Sequence, residues 1–529
     1  MSNALKFKHS ALCRLSSMWI KLTLLVLCLA PSAAAALAAP TWPCFANVPQ
    51  MNAVIPNDTV ISDQPTMNCF AWQEFIALNW AAASGQRGVA DPNVTAQQFG
   101  TPNASAPTVW ETYKSNTEVF LPGGAKPKSW NVPAPTSSCT TSNKAVKALL
   151  RKPGARVLSM ASAFGDFNLD ESNQASGQWL ADQNGNLIYY EIKLNQDEFN
   201  AIVNNGFYNA NVQTQTASTG VNPTPGGAYQ VKLPAGCNAG SCPNNGQAIV
   251  GAIELKAAWR ILTDPSQNAR YLTSQAVLMQ PTGACSVATV GLVGLHIVHK
   301  TVTQPQFIWA TFEHIDNVPP AAPATFNNPA CQCQTAIPNT CTSGTAQQYQ
   351  NCTSTQTTGQ ACTPNTPPPY NNPSANCKSY PIQVTRSRPL SNNSSDPVVA
   401  TNTAAQQLII SANSQSVFQY YQLVDVLWSG STQDSYNNLP KQPGPQVPLS
   451  MSGATPDPSA LPVANTTMET YVQSQTCLSC HIYASVPGSN YASDFSFIMG
   501  EAQAPKTSNF AATAKPRRSL PKEVLKLMH

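Results

Sequence analysis

The residues best suited to chemistry lie near the end of the chain, in the run TCLSCHIYA (476–484). Cys477 and Cys480 are separated by two residues, and His481 follows directly. Covalent haem attachment requires this spacing, because two thiols must reach both vinyl groups while the imidazole binds the iron. The composition predicts roughly 0.005 such runs by chance. The run therefore predicts one covalent haem c, with His481 as its proximal iron ligand.

Two other interpretations of the cysteine pair stay open, a thiol redox motif and a further disulfide. A thioredoxin-like motif opens a helix after a strand in a βαβ unit. The sequence around Cys477 predicts no such unit.

The ligand on the far side of the iron would decide between two kinds of function. A second Met or His ligand suits electron transfer, whereas an empty distal side suits small-molecule binding or haem chemistry. Met499 follows the motif closely enough to be a distal ligand, and a core methionine is the alternative interpretation.

Histidines of a predicted hairpin are the other distal candidates. His296 and His299 lie three residues apart on one predicted strand, so their side chains should face opposite sides of the sheet. A turn near 302–305 would place His296 opposite residues 312–314 and close to His314. Such a pair could form a distal haem pocket or a metal site; two hydrogen-bonded sheet histidines are the alternative.

The N-terminus has the three parts of a bacterial export signal. An apolar run at 22–30 is followed by an Ala-rich run at 33–39 with a small-residue cleavage site. The basic residues that precede or flank the apolar run are Lys6, Lys8, Arg14 and Lys21. Residues 1–38 are therefore predicted to be a signal peptide of a periplasmic or secreted protein, with an uncleaved anchor as the alternative. No later apolar run reaches membrane-spanning length.

Cysteine usage agrees with export. Of sixteen cysteines, two lie in the leader and two in the haem motif. An even set of twelve remains, which predicts disulfide bonds. A small Cys237–Cys242 loop is plausible, and the six cysteines between 331 and 377 could pair among themselves. The twelve are Cys44, Cys69, Cys139, Cys237, Cys242, Cys285, Cys331, Cys333, Cys341, Cys352, Cys362 and Cys377.

Hydrophobic periodicity predicts the elements that must position the motif. Residues 68–82 and 108–122 have helical spacing, whereas residues 177–194, 248–262, 271–279, 286–300 and 306–315 have the alternation or composition of strands. Asn195 and Glu198 predict the start of a short helix that ends near Asn205-Gly206. Residues 403–428 return to helical spacing, and Asn465 or Thr466 could cap a helix that leads into the motif.

These patterns together predict an α+β fold. Its centre is a mostly antiparallel β-sheet with flanking helices, disulfide-held loops and a C-terminal haem-binding segment. The predicted regions after the leader are a helical and loop region (39–150), a β-rich core (151–320), a Pro- and Cys-rich excursion (321–402), a helical segment (403–430), the haem-binding segment (465–503) and a basic tail (504–529).

The motif and the export signal resemble those of the mono-haem c-type cytochromes. The resemblance covers residues 465–503 and implies thioether bonds at Cys477 and Cys480. In small cytochromes c the motif lies near the start of the domain, whereas here only residues 482–529 follow it. A second resemblance, to the β-sheet cytochromes c-prime beta and their hydroxylamine-oxidising relatives, rests on a C-terminal motif followed by Asp494-Phe495-Ser496-Phe497. It implies an open distal site.

The expected function is electron transfer through the haem iron to a periplasmic redox partner. The alternatives are a haem enzyme or small-molecule binder with an open distal site, and an exoprotein in which haem is an accessory. A net charge of +4 with 10% charged residues argues against nucleic acid as a partner. The sequence fixes neither a substrate nor an oligomeric state.

Overall fold

A computed structural model describes most of the chain from Cys44 onward. The described residues are 44–45, 48–59, 63–132, 143–150, 156–159, 178–238, 240, 242, 247–279, 284–319, 324–327, 332–335, 350–353, 364–368, 379–429, 431, 446, 452–453 and 463–505. The predicted leader, most of the Pro- and Cys-rich excursion and the basic tail from residue 506 lie outside these ranges.

The described residues form seven α-helices and thirteen β-strands. The helices are α1 Gln64–Leu78, α2 Asn116–Val119, α3 Lys144–Leu150, α4 Gln196–Asn204, α5 Ala210–Thr219, α6 Pro397–Ala412 and α7 Cys477–His481. The strands are β1 Cys44–Phe45, β2 Val48–Pro49, β3 Lys114–Ser115, β4 Arg156–Ser159, β5 Ile188–Leu194, β6 Ile253–Ile261, β7 Thr273–Met279, β8 Cys285–His299, β9 Ile308–His314, β10 Gln332–Thr335, β11 Gln350–Thr353, β12 Tyr421–Trp428 and β13 Ser452–Gly453.

One large sheet organises these elements. Its strand order is β13-β12-β9-β8-β6-β5-β3, and β7 pairs with the N-terminal half of β8 and with β4. Only β4 and β7 are parallel among the described pairs. The α+β class with a mostly antiparallel sheet is therefore confirmed.

One face of the sheet is covered by α1. Asp63 caps this helix by accepting the Thr66 N–H at 2.8 Å. Ring contacts join the helix to the sheet: Phe75 stacks on Phe312 of β9 at 4.5 Å, and Trp72 meets the same ring edge-on. The indole N–H of Trp72 donates to Asn402 of α6 on the other side. The helix is thus apolar all round because it lies between the sheet and α6.

The opposite face carries residues 463–505, here called the motif segment. Asn465 donates to Thr311 at 3.1 Å, and the Thr466 hydroxyl donates to Glu313 at 2.8 Å. Both acceptors, Thr311 and Glu313, lie on β9 at odd-numbered positions, and Phe312 lies between them. Since side chains alternate along a strand, odd and even positions of β9 separate the helix-covered face from the motif-covered face.

Several sequence predictions agree with these elements. The first helix occupies 64–78, four residues earlier than predicted, and four core strands match the predicted ranges, with β8 beginning one residue earlier. Asn195 caps α4 by accepting the Glu198 N–H, and Gly206 follows the helix with a φ of 71°. The disulfides Cys44–Cys69 and Cys237–Cys242 are present, the second as expected, and Cys285 is also disulfide-bonded.

Three helix predictions differ from the structure, the first two only in part. The predicted helical segment 403–430 contains a helix that begins at Pro397 and ends at Ala412, followed by strand β12. Aromatic and β-branched residues fill β12, and they favour the strand once β9 offers a partner. Residues 108–122 form only single turns around β3, because Lys114–Ser115 pairs with β5. Residues 465–475 form turns rather than a helix, because their side chains bond to the sheet.

Within the described part of the chain, no helix combines the length and the apolar character needed to cross a bilayer.

Candidate functional site

The Cys-x-x-Cys-His run forms the single-turn helix α7. Thr476 caps it, since its hydroxyl accepts the Ser479 N–H while the Ser479 hydroxyl accepts the Thr476 N–H. This reciprocal pair satisfies two donors at the start of the helix. Residues three and four positions apart lie on one helix face, so Cys477, Cys480 and His481 are presented together.

Neither cysteine of the motif forms a disulfide, and both are half-buried. Burial and then the charge of Glu469 raise the pKa of the Cys480 thiol to about 11. The same two causes raise the pKa of Cys477 even further. Redox-active cysteines need a lowered pKa, because the thiolate is the nucleophile. The arrangement therefore disfavours the thiol redox interpretation and leaves two protonated thiols available for thioether bonds.

The imidazole of His481 is held in one tautomer. Its Nδ1 lies 2.7 Å from the carbonyl oxygen of Phe495. A carbonyl can only accept, so Nδ1 carries the proton and the lone pair is on Nε2. Burial lowers the pKa of His481 to about 4, against the opposing effect of the Phe495 carbonyl, so the ring is neutral near pH 7. These are the properties of a histidine ready to bind a metal through Nε2.

Two aromatic rings fix the plane of His481. Trp309 of β9 meets it edge-on with centroids 4.6 Å apart, and Phe497 meets it edge-on at 4.9 Å. Trp309 is nearly fully buried, and its indole N–H donates to the Gln306 carbonyl. The sheet thus supplies a rigid wall behind the candidate iron ligand.

A small group of charges lies beside the motif on the same sheet face. His296 of β8 is 3.0 Å from a carboxylate oxygen of Glu469, and its neighbour across the strands is Lys256 of β6. Burial and the Phe495 carbonyl have the largest effects on the pKa of His481. His296 and Lys256 come next, and both lower this pKa. The motif therefore lies in a charged environment that both the sheet and the segment provide.

The expected pairing of His296 with His314 was wrong. The predicted hairpin forms, but its register places His296 opposite Thr311, which puts His314 on the other sheet face. His314 is fully buried there, stacked on Tyr271 at 4.0 Å. Its Nε2 donates to the Arg270 carbonyl, and its Nδ1 accepts the Asp316 N–H. His314 is thus a satisfied core histidine.

The predicted divergence of His296 and His299 is confirmed. His299 lies on the face covered by α1, where Nδ1 bonds to Glu74 and Nε2 donates to the Val250 carbonyl at 2.9 Å. Its neighbour His296 points to the motif segment instead, through Glu469.

Met499 lies in the hydrophobic core with its side chain fully buried. Its carbonyl accepts a hydrogen bond of 2.9 Å from Gln213 of α5, which anchors this part of the motif segment. The thioether has the surroundings of a core methionine. Of the three proposed distal ligands, only His296 shares the sheet face of His481 and is half-buried.

The donor set suits a covalently held haem better than a bare metal ion. Among the described residues, no group of three or more His, Cys, Asp or Glu side chains converges as a metal chelate. Covalent haem attachment does not need a chelate, because the thiols would bond to the porphyrin edge and only the imidazole to the iron.

A polar cleft of about 300 Å³ opens beside the motif segment. Arg386, Arg388, Ala464 and Gln473 are among its lining residues, and Asp425 belongs both to the cleft and to the surroundings of Cys477. Guanidinium groups match carboxylates in bidentate geometry. Both guanidinium groups already have carboxylate partners, Arg386 with Glu313 and Arg388 with Asp425 at 3.9 Å. A larger cavity of about 440 Å³, by Trp130 and Phe199, contains no motif residue.

Several residues of the site carry no signal in the local sequence. Trp309, Lys256 and Glu469 reach it only through the strand register and the docking of the motif segment. Trp309 lies two residues before Thr311 on the predicted hairpin, so side-chain alternation would place it on the same face as His296 once the register is known. The Phe495 carbonyl carries no side-chain signal at all.

Comparison of the sequence with family models and with curated proteins, and of the structure with solved structures, returned no significant match.

Proposed function

We propose that this protein is an exported mono-haem c-type cytochrome whose function is electron transfer. The observation that carries the proposal is the state of the motif side chains: two unpaired thiols and a neutral His481 whose Nε2 lone pair is free of any described hydrogen-bond partner. A haem bound there would supply one iron that cycles between the ferrous and ferric states. Export is supported by the N-terminal pattern and by disulfides, which persist in oxidising compartments.

The chain's own groups would tune and protect such a site. The Phe495 carbonyl holds the proton on Nδ1 and so increases the basicity of Nε2. Trp309 and Phe497 keep the ring from rotating. Glu469 places a negative charge near the thiols, which favours the more positive state of a nearby metal. Electrons would pass to a protein partner in the periplasm.

The test is covalent haem in protein exported by cells that attach c-type haem. Wild-type protein should keep haem on a denaturing gel and show a pyridine haemochrome of one haem per chain. Cys477→Ala/Cys480→Ala should lose the haem stain. Cys237→Ala/Cys242→Ala, which removes another close cysteine pair, should keep it. Wild-type protein without covalent haem would overturn the proposal.

A second candidate function, a haem enzyme or small-molecule binder with an open distal side, is favoured by one observation. Met499, the nearest sixth ligand, is fully buried in the core. Carbon monoxide distinguishes the two, because it binds ferrous haem only where the sixth position is open or weakly held. Rapid formation of the carbon monoxide adduct would support the binder; an unchanged low-spin spectrum would support the carrier.

A further inference from the structure

The hydrogen bond to His481 comes from an unusual turn. Ser493–Ser496 is closed by a hydrogen bond from the Ser496 N–H to the Ser493 carbonyl at 3.1 Å. Its two central residues, Asp494 and Phe495, have φ values of 56° and 63°. Turns of this kind usually have Gly, Asn or Asp at both positions. Phenylalanine is strained there, because a bulky Cβ substituent crowds the left-handed backbone.

Such strain persists only where surrounding contacts enforce it. The Asp494 carboxylate supplies them: Oδ2 is 2.5 Å from Nζ of Lys300 and accepts the Leu233 N–H at 2.8 Å. Both charged side chains are 0% exposed. A buried ion pair with these additional bonds is costly to break, since either partner left alone is an uncompensated charge.

Lys300 is itself held rigidly. It follows directly after β8, where its N–H donates to the Ala252 carbonyl and its carbonyl accepts the Gly236 N–H. Its ammonium group lies 5.3 Å from the ring centroid of Phe307, another buried residue with a positive φ. One lysine thus links the loop after β8 to the turn that faces the motif helix.

The geometry points to Asp494 and Lys300 as positioning residues for the iron ligand: their ion pair holds the 493–496 turn so that the Phe495 carbonyl fixes His481. This inference rests on the proposed haem site. If the ion pair is lost, the turn relaxes, the Nδ1 hydrogen bond weakens, and Nε2 becomes a poorer electron donor. The ferric state is then stabilised less, and the midpoint potential rises.

The decisive variant is Asp494→Asn. Asparagine is accepted in left-handed backbone as readily as aspartate, so this change removes the charge and keeps the turn preference. At pH 6, the ferrous-to-ferric ratio at a fixed potential should increase about tenfold, an upward shift of about 59 mV for a one-electron couple. Lys300→Met should behave in the same way.

Asp182→Asn is the matched control. Asp182 forms a buried ion pair with Arg260 at 2.9 Å, in a hairpin turn whose described hydrogen bonds do not include His481. It should lower stability without moving the potential. The double variant Asp494→Asn/Lys300→Met leaves no unpaired charge and therefore separates folding from positioning.

The outcomes are distinguishable. Wild-type protein without covalent haem overturns the proposed function itself. Haem-loaded Asp494→Asn and double variants with the wild-type potential overturn the positioning role. A potential shift in both, with none in Asp182→Asn, supports it.

Discussion

At the scale of single residues, one hydrogen bond settles the chemical state of His481. The Phe495 carbonyl selects the tautomer, and burial keeps the ring neutral, so at neutral pH the imidazole is uncharged and has its lone pair on Nε2. The neighbouring thiols are protonated for the same reason, because burial penalises charge.

The first prediction concerns these thiols. In the haem-free chain with its disulfides intact, Cys477 and Cys480 should react with iodoacetamide about a hundredfold more slowly at pH 8 than glutathione does, since burial lowers the thiolate fraction. The measurement is the alkylation rate between pH 7 and 10, followed by mass spectrometry. Reaction faster than glutathione at pH 7 would instead favour the thiol redox interpretation.

At the scale of elements, the motif helix is short and depends on its surroundings. Five residues cannot sustain a helix alone. The cap at Thr476 and the docking of the motif segment on the sheet stabilise it. Docking is close: a Cβ at Gly294 of β8 would lie 2.5 Å from Oγ1 of Thr467 and 2.9 Å from Oδ1 of Asn465.

A second prediction follows from this close contact. Gly294→Ala should lower the free energy of unfolding by about 1–3 kcal/mol, because the new methyl group overpacks the interface with the motif segment. The segment should also become more sensitive to limited proteolysis. Gly291→Ala is the control on the same strand, since its Cβ would meet Leu262 and Tyr271 instead. Equal proteolysis of the segment in both variants would contradict the interpretation.

The third prediction concerns the cap. Thr476→Ala removes the acceptor for the Ser479 N–H and should lower the free energy of unfolding by about 1 kcal/mol, measured by urea denaturation. Thr476→Ser retains a hydroxyl and should stay near the wild-type value. If both variants lose the same amount, the loss comes from the methyl group and not from the cap.

At the scale of the whole molecule, the sheet separates two environments. The α1 face combines stacked aromatic rings with the buried Glu74–His299 pair, and the motif face contains the buried carboxyls of Glu313 and Asp494. Burial raises the pKa of Glu254 of β6 to about 7, and burial together with Glu254 raises the pKa of Glu198 well above its usual range. Both groups bind protons more tightly in the folded state than in the unfolded chain.

The fourth prediction is the resulting pH dependence. A carboxyl whose pKa is raised in the folded state lowers the free energy of unfolding at high pH, because it ionises first in the unfolded chain. This loss of stability is absent below pH 4.5 and grows until about pH 7. Glu254→Gln should therefore gain on the order of 1–3 kcal/mol over wild type at pH 8 and little at pH 4.5, measured by guanidinium denaturation.

Glu191→Gln is a control of opposite sign. Burial alone would raise the pKa of Glu191, but Arg156 and Lys193 outweigh burial and lower it. Its ionised form stabilises the fold above pH 4.5, so this variant should lose stability at pH 8. A gain in both variants, or a gain for Glu254→Gln that is equal at both pH values, would contradict the assignment.

The sequence by itself determined the elements with strong local signals and the spacing of the motif residues. Periodicity located α1 and the long core strands, and the spacing of Cys477, Cys480 and His481 defines one helix face without reference to any other part of the chain. Local patterns predicted the wrong structure where strand pairing determined it. The residues of β12 have helical spacing but form a strand, because β9 is available as a pairing partner.

Only the tertiary structure decided how the motif is surrounded. A register that puts His296 opposite Thr311 separates His296 from His314 and joins it to Glu469 instead. Shifting a strand by one residue turns every side chain to the other face, and no local pattern fixes that choice. The Lys300–Asp494 ion pair likewise joins residues nearly two hundred positions apart. The partner of His481 is the backbone carbonyl of Phe495, which no side-chain pattern indicates. Such contacts depend on how the chain packs, and the sequence alone does not encode them locally.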